Sequence, residues 1–300
     1  MGMKVKIGSL ILQNPIITAS GTFGYNTEYK DFMDLTKIGA LITKGITLHP
    51  RQGNPQPRIK EVPNGMINSI GLENVGIHKF VEEKLPVLKE NNITFIVNIA
   101  GESLEEYKQI AKICENNQLN AIELNLSCPN VEKGCLEFGK DEETICRLIC
   151  SVREVFTGTL IVKLGTNVSF PEKIAWAVQK AGGDAISAIN TVKAMNININ
   201  SDYKGYKFIK GGLSGKCIKP IALNFIYEIR QHTDLPIIGM GGINNLNDIL
   251  EFIAVGADAI QIGTGTFTQP DISEKLADEL NDFMETRGYN SIKELADSLR

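Results

Sequence analysis

The sequence Ala121-Ile122-Glu123-Leu124-Asn125-Leu126-Ser127-Cys128-Pro129-Asn130 changes from mainly apolar to polar within a few residues. Its first part is a run typical of a buried strand. Its second part brings amides, a hydroxyl and a thiol together, and Pro129 cannot donate a hydrogen bond to a sheet, so the strand must end there. Residues 131–140 contain two glycines and mixed charges. We therefore predict a strand that ends at an active site, with residues 131–140 as a loop that closes over it.

Similar apolar runs that end in small or polar residues recur along the whole chain. With residues 121–127 they make eight candidate strands, the others being 16–19, 40–45, 94–101, 160–166, 185–191, 236–243 and 259–266. Capped helical periods lie between most of them, at residues 141–156, 171–181, 219–232 and 270–287, after the predicted capping box Ser103-Leu104-Glu105-Glu106, and from the cap Asn244-Asn245-Leu246-Asn247-Asp248 to Val255. This alternation predicts an α/β protein with a (β/α)8 TIM barrel.

Three further segments complete the predicted architecture. Residues 4–13 alternate around Gly8-Ser9 and predict an N-terminal hairpin that closes the bottom of the barrel. Residues 48–74 and 192–215 exceed ordinary connections, so we predict two long loop insertions over the C-terminal face. The 300 residues are 43% hydrophobic and 22% charged, and no linker interrupts them, which predicts a single domain over residues 1–300.

Charge and hydropathy argue against several classes of function. The net charge is −4, and lysine and arginine are scattered, so we expect no nucleic-acid partner. Neither a signal peptide nor a membrane-length apolar run is evident, and we predict a cytoplasmic protein without a membrane partner.

The cysteines and histidines do not show metal-ligand spacing. The six cysteines contain no Cys-x-x-Cys pair and are predicted to be free thiols, with Cys146 and Cys150 filling the core from one helix. His49, His78 and His232 are far apart. We predict no metal site and no iron-sulfur cluster on this chain.

Active sites of such barrels lie at the C-terminal ends of the strands, and here these ends are rich in amides and lysines. They carry Ser20, Lys44, Asn98, Asn125, Cys128, Lys163, Asn190 and Thr191. The last two strands end in Gly241-Gly242 and Gly263-Thr264, a pattern typical of a phosphate site. This pattern alone fits flavin mononucleotide (FMN), a sugar phosphate or pyridoxal phosphate.

Five segments in order along the chain resemble the class 1 dihydroorotate dehydrogenase family. They are Asn68-Ser69-Ile70-Gly71-Leu72-Glu73-Asn74, Asn125-Leu126-Ser127-Cys128-Pro129-Asn130, Ile189-Asn190-Thr191, Gly211-Gly212-Leu213-Ser214-Gly215 and Gly239-Met240-Gly241-Gly242-Ile243. Within this class, Gly53-Asn54-Pro55-Gln56-Pro57-Arg58 and Pro63-Asn64-Gly65-Met66-Ile67-Asn68 resemble the NAD-linked class 1B catalytic subunit. The chain departs from the family pattern at Lys216-Cys217 and at Cys135.

The resemblance implies an FMN-dependent oxidation of (S)-dihydroorotate to orotate in de novo pyrimidine (UMP) biosynthesis. Cys128 would remove the C5 proton while a hydride passes from C6 to flavin N5. The implied substrate-binding residues are Lys44, Asn68, Ser69, Ile70, Gly71, Leu72, Asn125, Asn190 and Thr191. The implied FMN-binding residues are Ser20, Lys44, Gly45, Asn98, Asn125, Lys163, Ile189, Gly215, Gly241, Gly242, Gly263 and Thr264.

The class 1B resemblance also implies a partner. It predicts a homodimer core within a heterotetramer, whose second subunit carries FAD and a 2Fe-2S cluster and passes electrons to NAD. Four alternatives remain open: a class 1A homodimer that uses fumarate, a phosphosugar lyase or isomerase with a Schiff base on Lys44 or Lys163, a non-catalytic flavin-binding subunit, and a fragment of a dihydropyrimidine dehydrogenase.

Overall fold

The computed structural model describes residues 2–25, 28–29, 31–91, 93–126, 141–168, 170–198 and 207–300. Their central element is a sheet of eight parallel strands, which confirms the predicted barrel. In chain order the barrel strands are β3 (Ile16–Thr18), β4 (Leu41–Ile42), β7 (Phe95–Ile99), β8 (Ala121–Asn125), β9 (Thr159–Leu164), β10 (Ala185–Ala188), β13 (Ile237–Met240) and β14 (Ala259–Ile262). A parallel bridge between Ile17 and Ala40 joins the two edge strands β3 and β4 and closes the barrel.

Most of the predicted strands extend beyond the observed ones at their C-terminal ends. For example, the predicted strand 185–191 extends three residues beyond β10, which ends at Ala188. The extra residues leave the barrel at its C-terminal face and still bond to neighbouring strands: the Ile189 N–H donates to the Met240 carbonyl at 3.1 Å and the Asn190 N–H to the Leu164 carbonyl at 2.9 Å. This is the region where binding residues are expected in this fold.

The helices lie between the barrel strands and pack against them. They are α1 (Ile77–Lys79), a π-helix (Phe80–Lys84), α2 (Leu85–Glu90), α3 (Leu104–Asn116), α4 (Glu142–Arg153), α5 (Pro171–Lys180), α6 (Lys219–Arg230), α7 (Leu246–Ala254), α8 (Gly265–Thr268), α9 (Ile272–Arg287) and α10 (Ile292–Leu299), with 3₁₀ turns at Leu35–Lys37 and Lys216–Ile218. Between β3 and β4 the described residues form only the first of these 3₁₀ turns, so the alternation of strand and helix is incomplete there.

The two predicted N-terminal cap signals behave differently. Asn245 and Asp248 form a reciprocal capping box at the start of α7. Ser103 accepts a hydrogen bond from the Glu106 N–H at the start of α3, but the Glu106 carboxylate accepts from the Glu102 N–H instead of returning to Ser103. Both helices therefore have their first N–H groups satisfied, as helix starts require.

The predicted N-terminal hairpin is confirmed. Strands β1 (Val5–Ile7) and β2 (Leu10–Leu12) pair in antiparallel fashion around Gly8-Ser9. The inward side chains Ile7, Leu10 and Leu12 pack against the first residues of the barrel strands. The hairpin therefore closes the N-terminal end of the barrel with apolar side chains.

The two predicted insertions lie over the C-terminal face, but parts of them form strands instead of irregular loop. They form strands β5 (Ile59–Val62) and β6 (Gly65–Asn68) in the first insertion and β11 (Val192–Asn198) and β12 (Lys207–Ser214) in the second. These strands make one antiparallel sheet in the order β11-β12-β6-β5, joined where Asn68 pairs with Gly212. Strand β6 of the first insertion thus pairs with strand β12 of the second, and the sequence of either insertion alone does not indicate this pairing.

The cysteines in the helices are only partly in the core. Cys114 on α3 is fully buried, and this burial raises the pKa of its thiol to about 12. Cys146 on α4 is half-buried, whereas Cys150, one turn further along, is exposed. The prediction that both residues of this pair fill the core is wrong for Cys150, because the helix turns it away from the barrel.

In the part of the chain that the structure describes, no helix is long and apolar enough to cross a lipid bilayer. Within the same residues, no group of three or more His, Cys, Asp or Glu side chains is arranged to hold a metal ion.

Candidate active site

A cavity of about 370 Å³ opens at the C-terminal end of the barrel, beneath the sheet formed by the two insertions. Its volume lies in the range of small-molecule and cofactor sites. It gathers most of the predicted site residues that the structure describes: Ser20, Lys44, Gly45, Asn68, Ile70, Gly71, Leu72, Asn125, Lys163, Ile189, Asn190, Thr191, Gly215, Gly241, Gly242, Gly263 and Thr264. The described part of the chain thus brings both predicted sets, substrate-binding and cofactor-binding, into one cavity.

The glycine-rich segments after β13 and β14 lie side by side in the cavity wall. Gly241 and Gly242 have φ angles of +128° and +83°, which residues with a side chain rarely adopt. A Cβ atom on Gly242 would lie 2.8 Å from the Lys219 Cβ. Glycine is therefore required here by both backbone conformation and close packing, as expected where backbone must approach a ligand.

Charged and polar side chains hold the glycine segment after β13 in place. Asp248 accepts hydrogen bonds from the N–H groups of Asn244 and Asn245, and Asn244 donates to the Gly242 carbonyl at 2.9 Å. Lys219 donates to the carboxylates of Asp248 at 2.6 Å and Glu251 at 2.7 Å, and these bonds raise the pKa of its ammonium group. The segment is fixed before any ligand arrives, which lowers the entropic penalty of binding.

Amide side chains meet in the middle of the cavity. Asn190 donates to the Asn125 side-chain oxygen at 3.1 Å and accepts from the Thr191 N–H at 2.8 Å. The Tyr107 hydroxyl donates to the Asn125 carbonyl at 2.7 Å and so anchors the end of β8. Amides offer both donors and acceptors, so this group can match a ring that carries alternating N–H and carbonyl groups.

The segment from Asn68 to Leu72 passes along the cavity and is held from behind by Asn54. The Asn54 N–H donates to the Ile70 carbonyl at 2.9 Å, and its side chain donates to both the carbonyl and the hydroxyl oxygen of Ser69 at 3.0 Å. Gly71 and Leu72 have φ angles of +77° and +55°. The motif around Asn54 therefore explains how a strained backbone segment is kept beside the cavity.

Of the predicted site residues that the structure describes, two do not line the cavity. Ser69 is not among the lining residues, and its hydroxyl oxygen accepts a hydrogen bond from the Asn54 side chain at 3.0 Å. Asn98 is fully buried beneath Gly45: its amide donates to Glu123 at 2.6 Å, while its side-chain oxygen has no hydrogen-bond partner among the described residues. A Cβ atom on Gly45 would lie 3.0 Å from that oxygen. Asn98 thus lies one layer below the cavity wall.

Sequence reasoning missed several residues of the site. Arg58 and Glu73 both line the cavity and form an ion pair, and Met66, Ser214, Asn244 and Phe267 line it as well. Glu123 was missed because it stands inside an apolar run, although a charge within such a run is itself a signal of a functional or paired group. Its carboxylate lies in the barrel core under Lys163.

The predicted base Cys128 and the predicted closing loop at residues 131–140 lie outside the described residues. The described chain leads to this point through β8, whose last residue, Asn125, lines the cavity. The role of Cys128 remains a prediction.

Fold and site together define a class: a (β/α)8 barrel whose glycine-rich strand ends, paired amides and buried lysine suit a phosphorylated cofactor beside a small polar ring. The chain belongs to the dihydroorotate dehydrogenase family. The family model described as Dihydroorotate dehydrogenase matches residues 2–284. This confirms the family predicted from the sequence motifs.

Among similar curated proteins is the dihydroorotate dehydrogenase B (NAD(+)) catalytic subunit of Caldicellulosiruptor saccharolyticus, 47% identical over 100% of this chain and 99% of that protein. The protein of the same name from Parabacteroides distasonis is 45% identical over 99% of this chain and 98% of its own length. The class 1B resemblance is thereby confirmed. A crystal structure of the Eimeria tenella enzyme in complex with ferulenol has a TM-score of 0.82 at 20% identity, covering 98% of this chain and 87% of that one, and supports the fold.

Proposed function

We propose that this chain is the catalytic subunit of an NAD-linked dihydroorotate dehydrogenase, which oxidises (S)-dihydroorotate to orotate in pyrimidine biosynthesis. The observation that carries the proposal is the single cavity that unites the glycine segments after β13 and β14 with the amides of Asn68, Asn125 and Asn190. Relatives that match nearly the full chain bear the name of this enzyme. A phosphosugar enzyme would not require this array of amides beside the phosphate grip.

The cavity fits FMN as the cofactor. Gly241, Gly242, Gly263 and Thr264 would hold its phosphate, and Thr264 is fixed by a 2.8 Å hydrogen bond to the Ser214 hydroxyl. Lys163 would contact the pyrimidine edge of the ring, where a cation favours the reduced, negatively charged form. When bound, FMN supplies the two-electron acceptor for the hydride that leaves C6 of dihydroorotate.

The chain's own residues would bind the substrate and take its proton. Asn68, Asn125 and Asn190 would match the N–H and carbonyl groups of the ring, and Lys44 would lie between cofactor and substrate. Within the described residues the Lys44 ammonium has no ion pair, so its charge is available to an anionic ligand. The Cys128 thiolate would remove the C5 proton, since a cysteine ionises near neutral pH more readily than a serine.

A partner subunit would connect this chain to NAD. The names of the relatives describe a catalytic subunit and NAD(+) as acceptor. The sequence has no dinucleotide fingerprint and no cluster-like cysteine spacing. We therefore assign FAD and a 2Fe-2S cluster to the partner, in a heterotetramer built on a homodimer of this chain.

An anaerobic titration tests the proposal. The purified full-length chain is loaded with FMN, its flavin absorbance is recorded, and dihydroorotate is added without an electron acceptor. Bleaching of the flavin band is the expected result. A flavin band unaffected by dihydroorotate, or a chain that takes up no FMN, would overturn the proposal. Adding NAD and fumarate separately to the reduced protein then distinguishes the NAD-linked enzyme, which needs its partner, from a fumarate-linked one.

A further inference from the structure

A buried carboxylate lies beneath the floor of the cavity. Glu123 on β8 is 0% exposed and accepts three hydrogen bonds from the part of the chain that the structure describes: from Asn98 at 2.6 Å, from the Ser187 hydroxyl at 2.7 Å and from Gln261 at 2.8 Å. The donors come from β7, β10 and β14, so the carboxylate is held from three other strands of the barrel. An ionised carboxylate only accepts hydrogen bonds, and this arrangement supplies donors to both of its oxygens.

Lys163 is the cation that faces this carboxylate. Its ammonium nitrogen lies 3.6 Å from Glu123 Oε1, and the side chain is 6% exposed. Lys163 lines the cavity, whereas Glu123 does not, so the pair is oriented with the cation toward the ligand. Among the described residues, Lys163 is the only Lys, Arg or His within ion-pair distance of Glu123, and Glu123 is the only such carboxylate for Lys163.

Glu123 can influence a bound flavin in two opposite ways. Its own negative charge disfavours the reduced, anionic flavin. Through Lys163 it has the reverse effect, because the carboxylate at ion-pair distance holds the ammonium group beside the cavity, whereas a buried ammonium without a counter-ion moves toward solvent. The cation is closer to the cavity, and Coulomb energy falls with distance, so the effect through Lys163 outweighs the direct one.

We propose that Glu123 is a positioning residue, which holds the Lys163 ammonium group directed into the cavity and thereby raises the reduction potential of the bound flavin. Ser187 and Gln261 support this role by fixing the carboxylate. The inference rests on the proposed binding of FMN at this site. It adds a residue that touches neither cofactor nor substrate, and it assigns a function to a charged network that the packing of the barrel alone would not require.

The experiment is a double-mutant cycle on the midpoint potential of FMN in the full-length chain. Glu123→Gln keeps the shape of the side chain and removes its charge. It is expected to lower the potential by about 30 mV or more, which corresponds to a tenfold loss of preference for reduced flavin in a two-electron couple. In a Lys163→Met background, Glu123→Gln is expected to leave the potential unchanged or to raise it slightly.

Several results would overturn the inference. If Glu123→Gln raises the potential of the otherwise unsubstituted protein, the carboxylate acts through its own charge. If it lowers the potential equally in both backgrounds, its role is structural and independent of Lys163. Should the Glu123→Gln protein fail to retain FMN, Ser187→Ala takes its place in the cycle. This change removes one hydrogen-bond donor to Glu123, and it is expected to lower the midpoint potential by a smaller amount, and only when Lys163 is present. Failure of the unsubstituted chain to bind FMN would instead refute the proposed function.

Discussion

The N-terminal end of the barrel is filled by apolar side chains, whereas the C-terminal end holds a polar cavity above a buried ion pair. At the first end, Ile7 and Leu12 of the hairpin pack against residues such as Ile96 and Ile161. At the second, Lys163 and Glu123 share the barrel interior with amides and hydroxyls. One end of the eight strands therefore contributes apolar packing, and the other end carries the candidate active site. Substitutions at the N-terminal end should change stability, and substitutions at the C-terminal end should change binding or chemistry.

The largest expected effect is on chemistry at the C-terminal end. Cys128→Ser should leave FMN bound but slow flavin reduction by dihydroorotate by about 10²- to 10⁴-fold, because a serine hydroxyl is a much poorer proton acceptor at neutral pH. Anaerobic stopped-flow absorbance measures this rate. In the unsubstituted protein the rate should rise with pH as Cys128 ionises.

Cys135→Ser is the matched control for this prediction. Cys135 is the other cysteine near Cys128 in sequence, and it lies outside the motif that resembles the family. Its substitution should leave the rate of reduction unchanged. Reduction of the Cys128→Ser protein at the original rate would remove Cys128 from its assigned role.

The next effect is on stability at the N-terminal end. Leu12 is 0% exposed, so Leu12→Ala should lower the free energy of unfolding by about 2–5 kcal/mol through lost burial and the cavity left behind. The midpoint potential of bound FMN should not change. Chemical denaturation and a flavin titration test the two statements separately.

The neighbouring residue Ile11 provides the control on the same strand. Its side chain is 68% exposed, and Ile11→Ala should change stability by no more than about 0.5 kcal/mol. An equal loss of stability in the two variants would show that the hairpin does not seal the barrel as described. A shifted flavin potential in Leu12→Ala would show that the two ends are coupled.

A smaller effect is expected in the glycine segment after β13. Gly242→Ala places a Cβ atom 2.8 Å from the Lys219 Cβ at a φ of +83°, and Lys219 is held by Asp248 and Glu251. The segment must shift, so the dissociation constant of FMN should rise about tenfold or more, in line with about 1–3 kcal/mol of backbone strain. Fluorescence titration of the FMN-free chain with FMN measures this dissociation constant.

Gly288→Ala is the control that distinguishes the effect of backbone strain on stability from an effect on FMN affinity. Gly288 ends α9 with a φ of +76°, and no atom of the described residues lies within 4 Å of an added Cβ. This variant should lose some stability but bind FMN with unchanged affinity. If Gly242→Ala also leaves the affinity unchanged, the glycine segment does not hold the phosphate.

Much of the fold and most of the candidate site could be predicted because their signals are local. Apolar runs mark the strands, capping residues mark helix starts, and glycines mark the turns that need positive φ. Since parallel strands align their C-terminal ends, residues that follow separate strands were expected to meet. The cavity confirms this meeting for residues as distant in sequence as Ser20 and Thr264.

What only the tertiary structure decided depends on partners that sequence distance conceals. The insertions form one sheet because Asn68 on β6 pairs with Gly212 on β12. The Asn68 side chain also donates a hydrogen bond to the Gly212 carbonyl, 144 positions away in the sequence. Glu123 accepts a hydrogen bond from Gln261, which lies 138 positions away in the sequence. Strand register and the direction of each side chain set these contacts. The amino-acid sequence by itself therefore determined the barrel and most of the residues that line the cavity at its end, whereas the sheet above the cavity and the ion pair below it depend on the tertiary structure.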